Sequence, residues 1–425
     1  MNETNLRKRN YSALLAEGAF FTAGLSFIDA NAVVPVFIFA YTQSLLLAGL
    51  AATINFASSI LMQTLVGPYV KGIRNVPRYI SLIMFLFRPL PLLMIPVLFM
   101  NLDPWLTTGI FLFIYALFFA GDGLVVVPWI DLFGRTVESG RRGLLLGNQQ
   151  VLGGIGALLA GSAVKATLDH PMLNNNQRFS IIFGGAAVVM TLSSAAMAFS
   201  RDLPHKVTQE KPNHLRYYRQ MPAYIRRSPL FAQIALTRIL SIIAAMVAPF
   251  VILFCQDLLS LSRKEVSTLI VIQIIGSLAG GFLWGKISHR LGNHRVILIS
   301  QSLGLLLALS VILLAMLPRL AMPAFLLWPL VLVNGINMAA WIGFVNYTID
   351  IVHAEERTVY MLISNLMTFP FAFLPFFAGI VAQSFGYAPI FAISAIAASM
   401  AVIRATRLKA PESQAETHPV DVMEG

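Results

Sequence analysis

The chain reads as an all-α polytopic membrane protein of about twelve transmembrane helices in two pseudo-symmetric six-helix bundles. Its composition, its count of apolar runs and an internal repeat predict this. Of 425 residues, 57% are hydrophobic and 12% charged. Soluble domains average about 45–50% apolar and about 25% charged residues. A bilayer, unlike water, accepts this much apolar surface without penalty.

A bilayer core takes roughly 20 apolar residues per helix. By that rule spans are expected at 13–41, 45–66, 79–100, 105–129, 143–166 and 179–200 in the first half. The second half gives 230–255, 265–285, 295–317, 322–349, 358–383 and 387–405. The polar, basic stretch 201–229 separates bundles 1–200 and 230–410, and 411–425 is a tail. With an even span number both termini share one side. That side collects 23 of the 30 Lys and Arg residues, the opposite side five. Basic loops stay cytoplasmic, so both termini and the linker are expected there.

The halves repeat one another. "VVPVFIFAYTQ" and "VAPFVILFCQD" match Pro35 with Pro249. "WIDLFGR" and "TIDIVHA" match Asp131 with Asp350. "GPYVKGIRNVPR" and "GKISHRLGNHR" match Gly67 with Gly285 and Arg78 with Arg295. All three pairs fall in the same order, as two parallel six-helix repeats would have them.

Several classes are excluded. The net charge of +11 is scattered between apolar runs rather than gathered as a nucleic-acid surface. Cys255 is the only cysteine, so no disulfide framework or multi-thiolate metal site is expected. "RKRN" leads into an apolar run too long for a cleavable signal. "GGIGALLAG" lies within a span and lacks a P-loop lysine. No enzyme activity, cofactor or metal is expected.

On these features the chain resembles the major facilitator superfamily, over nearly its whole length. "GKISHRLGNHR" is similar to the family's G-x-x-x-D-R-x-G-R-R loop, and "GPYVKGIRNVPR" more loosely so. "EERTVY", "GRRGLLLGNQQVLGGIGALLAG" and "AGIVAQSFGYAPIFAISAIAA" resemble the approaches to spans 11 and 5 and the connection of spans 11 and 12. Where the family loop has aspartate, this chain has Lys71 and His289. Span 5 lacks the Gly-Pro pair, and span 4 the arginine, of many drug antiporters. The resemblance implies a secondary transporter, with spans 1, 4, 7 and 10 around a cavity open alternately to either side.

An ionisable group inside a bilayer is costly and faces water or a partner. Glu17, Asp29 and Asp122 are the acidic residues placed within spans, and no histidine joins them. A proton relay must therefore use carboxylates. Asp29 lies roughly 24 Å along a helix begun near Ala13, in a stripe with Thr22 and Ser26. It either titrates as the coupling site or hydrogen-bonds a neighbouring helix. Asn31 falls with Glu17 and Gly24 on a nearly opposite stripe. The Asp29–Asn31 pair has no equivalent in the second half, where Ile243 and Ala245 stand. Asp122 lies at a depth similar to that of Arg88, and an Arg88–Asp122 ion pair is expected. Glu17 is expected to be partly hydrated.

Arg238 either pairs with Glu17 or Asp29, binds an anionic substrate group, or snorkels to the interface. Span 10 offers Asn334, Asn337, Trp341, Asn346 and Tyr347; span 11 adds Asn365, Pro370 and Pro375. Substrate contacts are expected among Arg238, Asn31, Asn337, Trp341, Asn334 and Asn365. Asp131 and Asp350, near Arg141, Arg142 and Arg357, are expected in gate or loop ion pairs. The sequence thus predicts a monomeric, proton-coupled transporter of a small organic solute in a bacterial cell membrane. A sodium-coupled or uncoupled facilitator, or a non-transporting receptor or scaffold, are the alternatives.

Overall fold

The computed structural model describes residues 3–66, 69, 72–137, 139–202, 222, 224–316, 323–352 and 357–409. The linker segment 203–221 and the tail 411–425 lie outside them, as does Lys71. Among the described residues, eleven helices are long and apolar enough to cross a membrane. They include spans 2, 4, 5 and 6 at Leu45–Val66, Pro104–Thr136, Leu145–Asp169 and Asn175–Ala198. Spans 8, 9 and 12 are Arg263–Leu291, Asn293–Met316 and Tyr387–Ala405.

Span 1 departs from the expected single run 13–41. It is two helices, Glu3–Ser26 and Val33–Thr42, separated by a non-helical joint over residues 27–32. Proline explains how such a joint persists in apolar surroundings. It has no N–H to donate and clashes with the carbonyl four residues back. Pro35 therefore leaves the Asn31 carbonyl without its helical donor.

Four further spans break, three of them at internal prolines. Span 3 runs as Val76–Phe87, a tight turn Leu90–Leu93 and Met94–Phe99, with Pro89 and Pro91 at the break. Span 7 is Pro229–Ala245 and Val251–Leu259, joined through Ala248–Phe250 at Pro249. Span 11 is Arg357–Thr368 and Leu374–Phe385, with Pro370 and Pro375 flanking Phe369–Phe373. Span 10 divides into Trp328–Met338 and Trp341–Asp350 at Ala339–Ala340, with no proline at the break. Pro128, by contrast, sits inside an unbroken span 4.

The interior is not one core throughout. Toward the face opposite the termini, a single apolar cluster unites both halves, from Val34, Phe37, Phe111 and Phe183 to Phe250, Ile270, Val331 and Phe391. Toward the terminal face the core divides. Leu14, Ile80, Leu132 and Leu145 form one cluster in the first half; Phe231, Phe344, Tyr347 and Ile363 form another in the second. Cys255 lies wholly within the united core.

The united end is closed by backbone meeting backbone. A Cβ on Gly49 would collide with the Pro375 carbonyl, and one on Gly379 would meet the Leu45 carbonyl. The Leu45 N–H donates to Gln383 Oε1 at 2.8 Å, and the Phe376 N–H to Thr53 Oγ1 at 3.2 Å. Lys165 pairs with Asp169 at 2.7 Å and also donates to Thr268 Oγ1 at 3.0 Å across the halves. Spans 5 and 8 stay in touch as far as Gln150 against Gly281.

Replacing Gly379 with valine is expected to wedge this closed end. Overpacking costs about 1–3 kcal/mol, enough to shift the population toward separation of spans 2 and 11. Spin-label distances across those spans should lengthen; unchanged distances would show that the contact is not a seal.

Candidate functional site

The first-half polar site gathers around Arg88, which caps the helix that precedes the proline-rich turn of span 3. Its Nη1 lies 2.9 Å from Glu17 Oε1 and donates to Ser193 Oγ at 2.5 Å. Its Nη2 lies 3.7 Å from Asp122 Oδ1, and its guanidinium covers the Phe21 ring at 4.4 Å. The Trp129 indole donates to Glu17 Oε2 at 2.9 Å, and the Ser193 hydroxyl to the Glu17 carbonyl at 2.7 Å.

Glu17 is therefore not partly hydrated as expected. It is 3% exposed, because Arg88, Trp129 and Ser193 close over it from three spans. Arg88 does approach Asp122, but Glu17 is its shorter partner. Gly121 and Gly123 let the helix around Asp122 approach its neighbours: a Cβ on Gly121 would enter Phe87, and one on Gly123 would meet the Ser59 carbonyl. One cation here faces two carboxylates.

Asp29 sits in the joint of span 1, so its expected stripe with Thr22 and Ser26 does not form; the helix ends at Ser26. Its Oδ1 accepts the Asn31 N–H at 2.9 Å, and its carbonyl accepts the Val34 N–H at 3.0 Å. Both bonds shape the turn into Val33–Thr42. No cation pairs with Asp29 among the described residues. The Tyr115 hydroxyl caps the neighbouring Ile28 carbonyl at 3.3 Å.

A polar chain runs from this joint into the second half. Gln273 in span 8 donates Nε2 to the Asn31 carbonyl at 3.0 Å, the group that Pro35 leaves free. Gln273 Oε1 accepts from Asn334 Nδ2 at 3.1 Å, and Asn334 Nδ2 also reaches the Ala248 carbonyl in the joint of span 7 at 3.5 Å. Gln273 is buried because Gly276 and Gly335 bring spans 8 and 10 into backbone contact. Its signal in the sequence is an amide inside "LIVIQIIG", which a search for charged groups passes over. In span 7 the Ala244 carbonyl takes the Ser394 hydroxyl at 2.6 Å.

Arg238 pairs with neither Glu17 nor Asp29. Its Nη1 donates to Ser364 Oγ at 2.6 Å and its Nη2 to Asn365 Oδ1 at 3.3 Å, both neutral and both on span 11. The guanidinium is thus held by the neighbouring helix.

Other expected contacts separate. Asn334 is engaged with Gln273 and Ala248. Asn337 sets its amide nitrogen against Gly304 of span 9. Trp341 begins the second helix of span 10 and is 62% exposed. Asp131 pairs with Arg135 at 2.9 Å, and Arg135 with Asp202 at 3.1 Å. Asp350 accepts Asn293 Nδ2 at 2.6 Å. The side chains of Arg141, Arg142 and Arg357 lie outside the described residues.

With fold and site in view, the comparisons place the chain plainly. It belongs to the major facilitator superfamily, whose model matches residues 19–369 and again 234–421. A point mutant of the nucleoside transporter NupG superposes at TM-score 0.66 with 13% identity, covering 95% of this chain and 98% of that one. A bacterial homologue of the human lysosomal transporter Spinster, inward-facing and unoccupied, gives 0.57 with 14% identity and 95% of each chain. The same homologue, inward-facing and occupied, gives 0.56 with 15% identity and 93% of each. At these identities the likeness is one of fold. No curated protein sequence matches the chain.

Removing Arg88 leaves two buried carboxylates without their cation, a class of change that costs about 3–5 kcal/mol. Arg88→Leu should lower the thermal midpoint sharply. The triple change Arg88→Met, Glu17→Gln and Asp122→Asn should recover most of that loss, as measured by thermal unfolding in detergent.

Proposed function

We propose that the chain is a proton-coupled secondary transporter that carries a small organic solute across the cell membrane by alternating access. The observation that carries this reading is the division of the interior. One core unites the halves away from the termini, and two separate cores flank the terminal side. Halves that share one end and part at the other have the form of a carrier open to one side. By the distribution of basic loops that side is the cytoplasm.

Coupling rests on carboxylates placed where charge is costly. Asp29 has no cationic partner among the described residues, and it shapes the joint whose Asn31 carbonyl Gln273 grips from the other half. A proton on Asp29 would weaken it as an acceptor for the Asn31 N–H and so loosen the turn. The Glu17–Arg88–Asp122 group carries one uncompensated negative charge and supports a second protonation position. Asp122 is the looser partner of Arg88, at 3.7 Å against 2.9 Å for Glu17, and is the second candidate for coupling. No nucleotide-binding segment is seen in the sequence, so an ion or substrate gradient is the source of work.

The test uses proteoliposomes under an inward proton gradient, given a small-molecule extract of bacterial cells, with accumulated solutes identified by mass spectrometry. The parent protein should concentrate at least one solute above protein-free vesicles. Asp29→Asn should abolish gradient-driven accumulation while leaving solute exchange partly intact. Undiminished accumulation by that variant would remove Asp29 from the coupling role. No accumulation by the parent would remove the transport reading.

A further inference from the structure

The two intramembrane arginines are treated in opposite ways. Arg88 is given two carboxylates, a hydroxyl and an aromatic ring. Arg238 is given one hydroxyl and one amide oxygen, and no carboxylate among the described residues. Its position is no less demanding, about nine residues and roughly 14 Å into span 7. A guanidinium has five N–H donors along its planar edges; Ser364 and Asn365 take one from each Nη, and the other three have no partner among the described residues. Carboxylates and phosphates bind such an edge in bidentate fashion.

The acidic groups of the first half do not fill the vacancy, since Glu17 and Asp122 share Arg88 and Asp29 is tied into its own joint. While the terminal side stands open, water can solvate Arg238. When that side closes, water is withdrawn, and an isolated buried charge is strongly unfavourable. Resting on the transport reading above, we propose that the carried solute bears a carboxylate or phosphate that becomes the counter-ion of Arg238. Closure is then conditional on the anion: the empty carrier resists shutting on a bare cation, and the loaded one does not. Ser364 and Asn365 act as positioning residues that hold the guanidinium toward the incoming group.

The same vesicle experiment decides the matter, read by the charge of what accumulates. The concentrated solutes should be organic anions, and the amide-capped form of each should be excluded. Arg238→Gln should weaken apparent affinity for such an anion by about a hundredfold or more, the usual scale for losing one partner of a buried charge pair. Asn365→Asp keeps the arginine but places a resident carboxylate beside it, and should block uptake of the anion. Arg238→Lys retains the charge and should retain part of the uptake. If the parent accumulates only neutral or cationic solutes, transport stands and the anion assignment falls. The assignment also falls if Asn365→Asp takes up the anion as the parent does, an outcome that does not depend on whether the glutamine variant folds. A parent that accumulates nothing overturns both readings.

Discussion

A hydrocarbon interior supplies no water to bond a stray backbone group, so a helix that breaks inside it must find donors elsewhere. Much of this molecule follows from that constraint. Pro35 releases the Asn31 carbonyl, and Gln273 supplies its donor from the opposite half. The same amide receives Asn334, which leans on the joint of span 7. A local defect in one helix thereby becomes a bond between bundles. The two joints are thus linked through one side chain, Gln273, that is 2% exposed.

Charge is handled with equal economy. Around Arg88 the first bundle builds a compact ion cluster that ties spans 1, 3, 4 and 6 together through Glu17, Asp122, Trp129 and Ser193. Around Arg238 the second bundle builds an oriented cation and stops there. The pseudo-symmetry of the fold makes the contrast sharper, because the scaffolds match while the chemistry does not. Deep within the first bundle Glu17, Asp29 and Asp122 stand against Arg88 alone, whereas in the second Arg238 has only neutral partners among the described residues.

Hydropathy made the spans legible, since runs of apolar residues report directly on what a bilayer will hold. The matching of Pro35 with Pro249 made the repeat legible, but not the breaks that both prolines accompany. What hydropathy does not report is backbone bonding, so the sequence placed Asp29 on a helical stripe where the chain has a turn. Rise per residue gave Arg88 and Asp122 the same depth but carried no information about azimuth, and Glu17 proved the nearer partner. Gln273 was missed because an uncharged amide in an apolar run leaves hydropathy almost unchanged. Arg238 was recognised as out of place, yet its neutral partners, Ser364 and Asn365, lie on a span more than a hundred residues later.

The closed end is held by glycines against carbonyls and by apolar packing, and in a bilayer such contacts draw on dispersion rather than on expulsion of water. Lipid tails offer nearly the same dispersion to any surface left uncovered. Opening that end and closing the other therefore trades like for like, and the two arrangements differ by only a small remainder. The molecule behaves as a beam balance with heavy, matched pans. On the function proposed above, a single proton or a single anion, negligible against the mass of packing, would be enough to tip it.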